Sequence, residues 1–386
     1  MNIIILNCYS RNSLAVINAL DSSYNLIGGA VGDTTQSPFI DRWLKSKRLS
    51  EIFRHTAPTD DIDTFRDDII QACKNYRADA ILASGTTITN YLSFIKNDFQ
   101  ASTNCTVLVE DYMKLKTVAD KWNCYELCQK IGIPTPRSVL LTSESDLQTI
   151  VNHFQFPVIA KPRDSFASRG VHLFSSQDEF NKYASTQTND KFLNSTYLVQ
   201  EIVSGELHDV TSCSNSGRVM SMLTQQRLMT LYDFGGGGII NQTTDEPDLR
   251  TDAEKIIKYL NWNGILEFDF IVNERGHYLL ECNPKIWGTT ALTVAAGLNM
   301  PQQLIDLFVL KKNVEPMANY QVGLQYKWLF PECVYHWTTK PRTVAAVTRR
   351  IKNTFHRNGA HRVMHNIAWS DTLHLIGIVL NKSQFS

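Results

Sequence analysis

Several chemistries are missing from this sequence. Its eight cysteines form no CxxC pair and no Cys/His cluster at zinc spacing, which argues against structural zinc and for free thiols in a reducing compartment. No GxGxxG is present, so the dinucleotide fingerprint is absent. The longest late apolar run, LHLIGIVL at 373–380, is far too short to cross a bilayer. The N-terminus, MNIIILNCY, lacks a basic n-region and reads as a first strand. Charge of either sign is not in excess: 38 Lys and Arg balance 38 Asp and Glu, which speaks against a general nucleic-acid binder. No Ser-His-Asp or Cys-His arrangement stands out. The expectation is a cytoplasmic protein without a transmembrane segment, and 386 residues allow two to four domains.

From residue 1 to about 110, apolar strands (NIIIL, NLIGGAVG, DAILAS) alternate with amphipathic segments (NSLAVINAL, FRDDIIQACKNY). That alternation predicts parallel strands with crossover helices in a small open sheet. The turns Cys8–Arg11 and Ser84–Thr87 fall at strand carboxyl ends, where such sheets bind ligands. Residues 117–131 read as a helix stopped by Gly132 and the prolines of GIPTP. PVIAKP, VHLF and TYLVQEIV are strand-like, GILEFDFIV and HYLLECN read as a hairpin, and the region is α+β. After about residue 315 the pattern becomes helical and irregular.

In GILEFDFIV a period of two puts Ile265, Glu267, Asp269 and Ile271 on one face. A three-residue connection, Glu274-Arg275-Gly276, turns His277, Leu279, Glu281 and Asn283 toward the same side, with Asn283 opposite Glu267 and Glu281 opposite Asp269. Carboxylates and an amide oxygen then converge within roughly 5–8 Å. Left alone they repel one another. A hard divalent cation such as Mg²⁺, completed by phosphate oxygens and water, suits oxygen ligands that come without imidazole or thiolate. A solvated polar hairpin face is the alternative at this point. Upstream, Lys161 closes a strand, and the loop Arg163–Gly170 is rich in small polar residues and ends on glycine, which suits a flap whose amides cradle phosphate. Lys121 offers a second ammonium, or is a surface lysine.

The stretches DKWNCYELCQKIGIPTP, FPVIAKPRDSFASRGV, YLVQEIVSGE and GILEFDFIVNERGHYLLECNPKIWG resemble, in order and spacing, the ATP-grasp enzymes. The resemblance covers roughly residues 1 to 310. It implies a pre-ATP-grasp α/β domain over 1–112, two ATP-grasp subdomains over 113–195 and 196–312, and a short, mainly helical extension over 313–386. It implies ATP with Lys121 and Lys161 on its phosphates, and Ser165, Ser168 and Gly170 in the loop that closes over them. It also implies Glu201 at the adenine amine, the backbone of Ile202 and Val203 at the ring edge, and Glu206 at the ribose. Glu267, Glu281 and Asn283 match the Mg²⁺ ligands of the family, which usually hold two ions, with Mn²⁺ as a substitute. Lys285 stands where many relatives have arginine and Leu207 where relatives often carry an acid. Arg227 is placed near the γ-phosphate, with Gly235–Gly238 as a loop beside it or a plain linker.

The family chemistry has a carboxylate attack the γ-phosphate of ATP, giving an acyl phosphate that an amine captures. The expected activity is therefore carbon–nitrogen ligation of small-molecule carboxylate and amine substrates. A carboxylase or carbamoyl-phosphate type of enzyme and a non-catalytic nucleotide binder are the alternatives. Ser10, Arg11, Ser84–Thr87, Trp287, Gly288 and Thr289 are acceptor-pocket candidates, and Arg11 suits a substrate carboxylate. A homodimer is common among similar enzymes. Cys333–Ser370 contains no acidic residue but seven Lys and Arg, including Lys340, Arg349 and Arg362, which makes it a solvated helix face, an oligomer contact or a surface for an anionic partner. No nucleic acid is expected.

Overall fold

The structure is a computed structural model that describes residues 1–32, 41, 43–164, 170–186, 193, 194, 196–232, 235–338, 343–356, 360, 362–366 and 372–380. The chain divides into two compact bodies. The first comprises Met1–Leu115, Val210–Glu267 and Pro284–Ser386, and the second Lys116–Asp209 and Phe268–Asn283.

The first body opens with a parallel five-stranded sheet. Its strands are β1 (Asn2–Leu6), β2 (Asn25–Val31), β3 (Leu49–His55), β4 (Ala80–Ala83) and β5 (Thr106–Val107), in the order β3-β2-β1-β4-β5. Both faces are covered. Ile3 and Ile5 pack into one core with Leu82, Trp287 and Leu292, whereas Ile4 and Leu6 pack into another with Ile27, Phe65 and Ile69. Burial on both sides explains why β1 is an unbroken apolar run rather than an alternating one. The strand order reverses between β1 and β4, and there the chain beyond β1 meets the chain beyond β4. Ser10 caps the helix Arg11–Ala19 by accepting from the Ser13 amide, and its hydroxyl lies 2.7 Å from that of Ser84.

The second body holds a four-stranded sheet. Its strands are β6 (Ser138–Leu140), β7 (Val158–Pro162), β8 (His172–Phe174) and β9 (Tyr197–Glu201), ordered β6-β9-β7-β8 and antiparallel throughout. Its core is Leu141, Ile150, Val158, Ala160, Phe174, Phe180 and Val199. Apolar residues at alternate positions of β7 fill this core, and Lys161 is left on the opposite face.

Further along, β10 (Glu206–Asn215) is followed by β11 (Arg218–Tyr232) and β12 (Gly235–Thr244), and then by β13 (Gly264–Asn273) and β14 (Gly276–Asn283). Within the first body β11 pairs antiparallel with β12. The glycine run 235–238, expected as a loop, is instead the start of β12; Thr230 pairs with Gly238, and the partner strand supplies the ladder that glycine alone does not favour. The hairpin turn is Glu274–Arg275, with Gly276 already in β14 at φ +134°, a conformation that L side chains rarely adopt.

The helix expected over 117–131 is two helices, Tyr112–Ala119 and Lys121–Ile131. Asp120 separates them because its carboxylate accepts from the Trp122 and Asn123 amides and caps the second. The C-terminal segment adds strands to its helices: β15 (Leu324–Lys327) pairs with β12, and β16 (Arg362–His365) pairs with β15. All four residues of β15 are buried, as suits a strand with neighbours on both sides. Among the described residues no helix is long and apolar enough to cross a membrane.

Candidate nucleotide and metal site

Lys161 stands one residue before the end of β7 and is half-buried. Its Nζ donates to Gln200 Oε1 at 2.8 Å, and Gln200 in turn donates to Ser138 Oγ at 3.0 Å. This chain of hydrogen bonds on one face of the sheet holds the lysine in place. Two residues on, the Arg163 guanidinium donates to both Asp120 oxygens, at 3.1 and 3.2 Å, and its carbonyl accepts from the Lys121 amide at 3.1 Å. Arg163 therefore ties the end of β7 to the first turn of the helix that starts with Lys121. Lys121, Lys161, Tyr125, Gln200 and Leu279 line a common cleft within the second body.

Acidic groups face these cations. Burial lowers the pKa of Lys161 below the usual ammonium value, Glu281 and Asp269 pull it back up, and Lys121 pushes it further down. Charges from three other segments thus lie within electrostatic reach of Lys161. Asn283 Nδ2 donates to Asp269 Oδ1 at 3.3 Å, which puts the end of β14 and the middle of β13 on one face. Asp209, on β10 and 1% exposed, brings a carboxylate oxygen within 4.8 Å of one from Asp269. Glu267 is buried two residues before Asp269 on the same strand, and so points to the same side. Carboxylates buried this close repel one another unless a cation lies among them. The donor set is oxygen only, which fits Mg²⁺ or Mn²⁺.

The other expected residues are spread over both bodies. Glu201 shares a face of β9 with Val199, opposite Gln200, and its carboxylate accepts from the Gln155 amide at 3.3 Å. Ile202 is exposed and Val203 half-buried, both in the turn after β9. Glu206 is exposed at the start of β10, 3.8 Å from His208. Gly170 takes φ +67°, and a side chain there would collide with Pro162 at the end of β7. Ser165 and Ser168 lie outside the described residues, as does part of the basic C-terminal stretch, Lys340 and Arg342 included. Arg227 and Lys285 belong to the first body; Arg227 donates to the Gly236 carbonyl at 3.3 Å, and Lys285 is half-buried.

The sequence reading missed Asp209 and noted Asp269 without assigning it a ligand role. The available signal was a lone acid in the otherwise uncharged buried run DVTSCS. In the first body, Ser84 bridges Ile286, Asn12 donates to the Ile286 carbonyl, and a side chain at Gly288 would collide with the Arg11 guanidinium. The expected acceptor candidates Ser10, Arg11, Ser84 and Gly288 therefore do converge.

Residues 118–289 match the family model of the ATP-grasp domain. The chain carries an ATP-grasp domain. It is 22% identical over 233 residues to carbamoyl-phosphate synthase of Methanobrevibacter smithii, covering 58% of this chain and 62% of that one. It is 28% identical over 211 residues to D-alanine–D-alanine ligase B of Pseudomonas putida, covering 50% and 64%. The matched region thus spans less than two thirds of either curated relative. Among solved structures, biotin carboxylase from Campylobacter jejuni in complex with β,γ-ATP has a TM-score of 0.67 at 16% identity, covering 84% of this chain and 74% of that one. L-amino acid ligase from Bacillus licheniformis has a TM-score of 0.59 at 11% identity, covering 82% and 77%. These likenesses show the ATP-grasp fold.

Proposed function

We propose that this ATP-grasp protein is an ATP- and Mg²⁺-dependent ligase that joins a carboxylate to an amine through an acyl phosphate, releasing ADP and phosphate. The observation that carries the reading is the grouping of half-buried Lys121, Lys161 and Glu281 with buried Asp269 in one body. Ammonium groups beside oxygen-only metal ligands match the two needs of a nucleotide tail, direct charge pairing and a shared divalent ion.

In this reading Lys161, fixed by Gln200, and Lys121, fixed by the Arg163–Asp120 pair, hold phosphate oxygens. Asp209, Glu267, Asp269, Glu281 and Asn283 would hold the divalent ion, whose chemistry is to neutralise the charge between phosphate and an anionic acceptor. Backbone after β9, at Ile202 and Val203, would take the adenine edge, and Glu206 the ribose. The chain's contribution is positioning and charge rather than a covalent protein nucleophile. Eight free, buried cysteines support a reducing compartment.

The test is ADP release with Mg·ATP against a panel of carboxylic acids, bicarbonate and amines. Release that requires both a carboxylate and an amine supports the ligase. Release with bicarbonate alone would redirect the reading to carbamoyl-phosphate-type chemistry. Nucleotide binding with no release under any pair would refute catalysis and leave a nucleotide binder.

A further inference from the structure

Three cysteines gather beside the nucleotide cleft, and the ligase reading gives none of them a role. Cys124 and Cys128 lie one turn apart on the helix Lys121–Ile131, and both line the cleft together with Lys121 and Lys161. Cys282 comes from β14, between the metal candidates Glu281 and Asn283, and strand alternation turns it to the opposite face from them. Its Sγ lies 3.6 Å from that of Cys124. Both residues are 4% exposed, so close packing fixes where the two sulfurs sit.

A single bond between these sulfurs would join the segment that carries Lys121 to the segment that carries Glu281 and Asn283, both within the second body. A disulfide holds its sulfurs at about 2.05 Å, so they must close by about 1.5 Å from their present distance. In a packed interior such a movement is shared with the backbone on either side, and helix and strand are drawn together. Mg²⁺ tolerates little of this, because it demands near-octahedral oxygens at about 2.0–2.1 Å. The metal candidates flank the residue that moves.

We propose that Cys124 and Cys282 are a peroxide-sensitive pair whose disulfide weakens nucleotide binding. The oxidant is a small hydroperoxide, hydrogen peroxide in the simplest case. The Cys124 sulfur, which lines the cleft, takes one peroxide oxygen and becomes a sulfenic acid, and the other oxygen leaves as water. The Cys282 thiol then attacks that sulfur, the S–S bond forms, and a second water leaves. Two thiols are oxidised and one hydroperoxide is reduced; a thiol reductant reverses the step. The effect on binding rests on the nucleotide reading of the cleft, whereas the disulfide itself does not.

The full chain is treated with hydrogen peroxide and then with dithiothreitol, and at each stage peptide mapping by mass spectrometry and calorimetric titration with Mg·ATP are recorded. Peroxide should produce a Cys124–Cys282 cross-link and weaken Mg·ATP binding at least about tenfold, the scale of a disturbed metal surround, and dithiothreitol should reverse both. Mg·ATP added before the peroxide should slow the cross-link, because it covers Cys124. Cys282→Ala should keep its Mg·ATP affinity through the peroxide treatment. Should that variant not fold, Cys124→Ala removes the other sulfur and should behave alike. Absence of the cross-link, a Cys124–Cys128 link in its place, or a cross-linked chain that binds Mg·ATP as tightly as the reduced one would overturn the proposal and leave the nucleotide reading standing. A reduced chain that binds no Mg·ATP would end the nucleotide reading, and the switch with it.

Discussion

Asp209→Asn removes one negative charge from the buried cluster while keeping the side chain's shape. Asp209 and Asp269 bring carboxylate oxygens within 4.8 Å of each other, and both residues are buried. At an effective dielectric near 20, two unit charges at that separation repel by about 3.5 kcal/mol before neighbouring hydrogen bonds and Lys161 offset part of it. The substitution should therefore stabilise the metal-free protein by roughly 1–3 kcal/mol. In Mg²⁺ the sign should reverse, because the native cluster gains the ion's binding energy and the variant gains less of it. Thermal melts in EDTA and in Mg²⁺ give the comparison. The variant should melt above the native chain in EDTA and gain less from Mg²⁺. A variant that melts lower in EDTA and responds to Mg²⁺ as the native chain does would refute the reasoning, since the carboxylates would then be neither mutually repelling nor metal-bound.

Lys161→Met should weaken ATP binding by roughly 10- to 100-fold at neutral pH, the loss of one charge-assisted hydrogen bond in a dry site, and an unchanged Kd from calorimetry would remove its phosphate role. The pH dependence follows from its depressed pKa. As pH rises through that value the folded protein loses the proton before the unfolded chain does, so stability rises with pH up to the ordinary ammonium value near 10.4 while ATP affinity falls. Calorimetry in buffers of different ionisation enthalpy should show proton uptake on ATP binding in that window, and none in Lys161→Met. Glu281→Gln should abolish Mg²⁺-dependent ADP release with the circular dichroism spectrum unchanged, and full activity would remove Glu281 from the metal set. Gly205→Ala should destabilise the second body by roughly 2–4 kcal/mol, because a Cβ there meets the Val272 carbonyl at 2.3 Å and backbone cannot step aside cheaply; an unchanged melt would contradict that.

The sequence announces what repeats along the chain. NIIIL, NLIGGAV and DAILA are apolar runs between helical patterns, and they are β1, β2 and β4. Their carboxyl-end turns also meet as topology requires, Ser10 against Ser84. β3 escapes notice because Ser50 and Glu51 interrupt it on an exposed stretch, and the start of β12 because four glycines carry no pattern. β11 carries Thr224 and Gln225, polar residues that pairing with β12 buries. The helix over 117–131 reads as continuous because a capping aspartate looks like any polar residue until its carboxylate is seen on two amides. At the site, Lys161, Glu281 and Asn283 stand out through strand-end position and alternation. Asp209 does not, since its contribution depends on β10 and not on any local period.

The claim on which the rest depends is that half-buried lysines and oxygen ligands in the second body together hold a metal-bound triphosphate. Titration of a non-hydrolysable ATP analogue into the protein, once with Mg²⁺ and once with EDTA, measures it most directly. Binding should saturate with Mg²⁺ and weaken at least tenfold in EDTA. Equal affinity in both, or no binding in either, would contradict it.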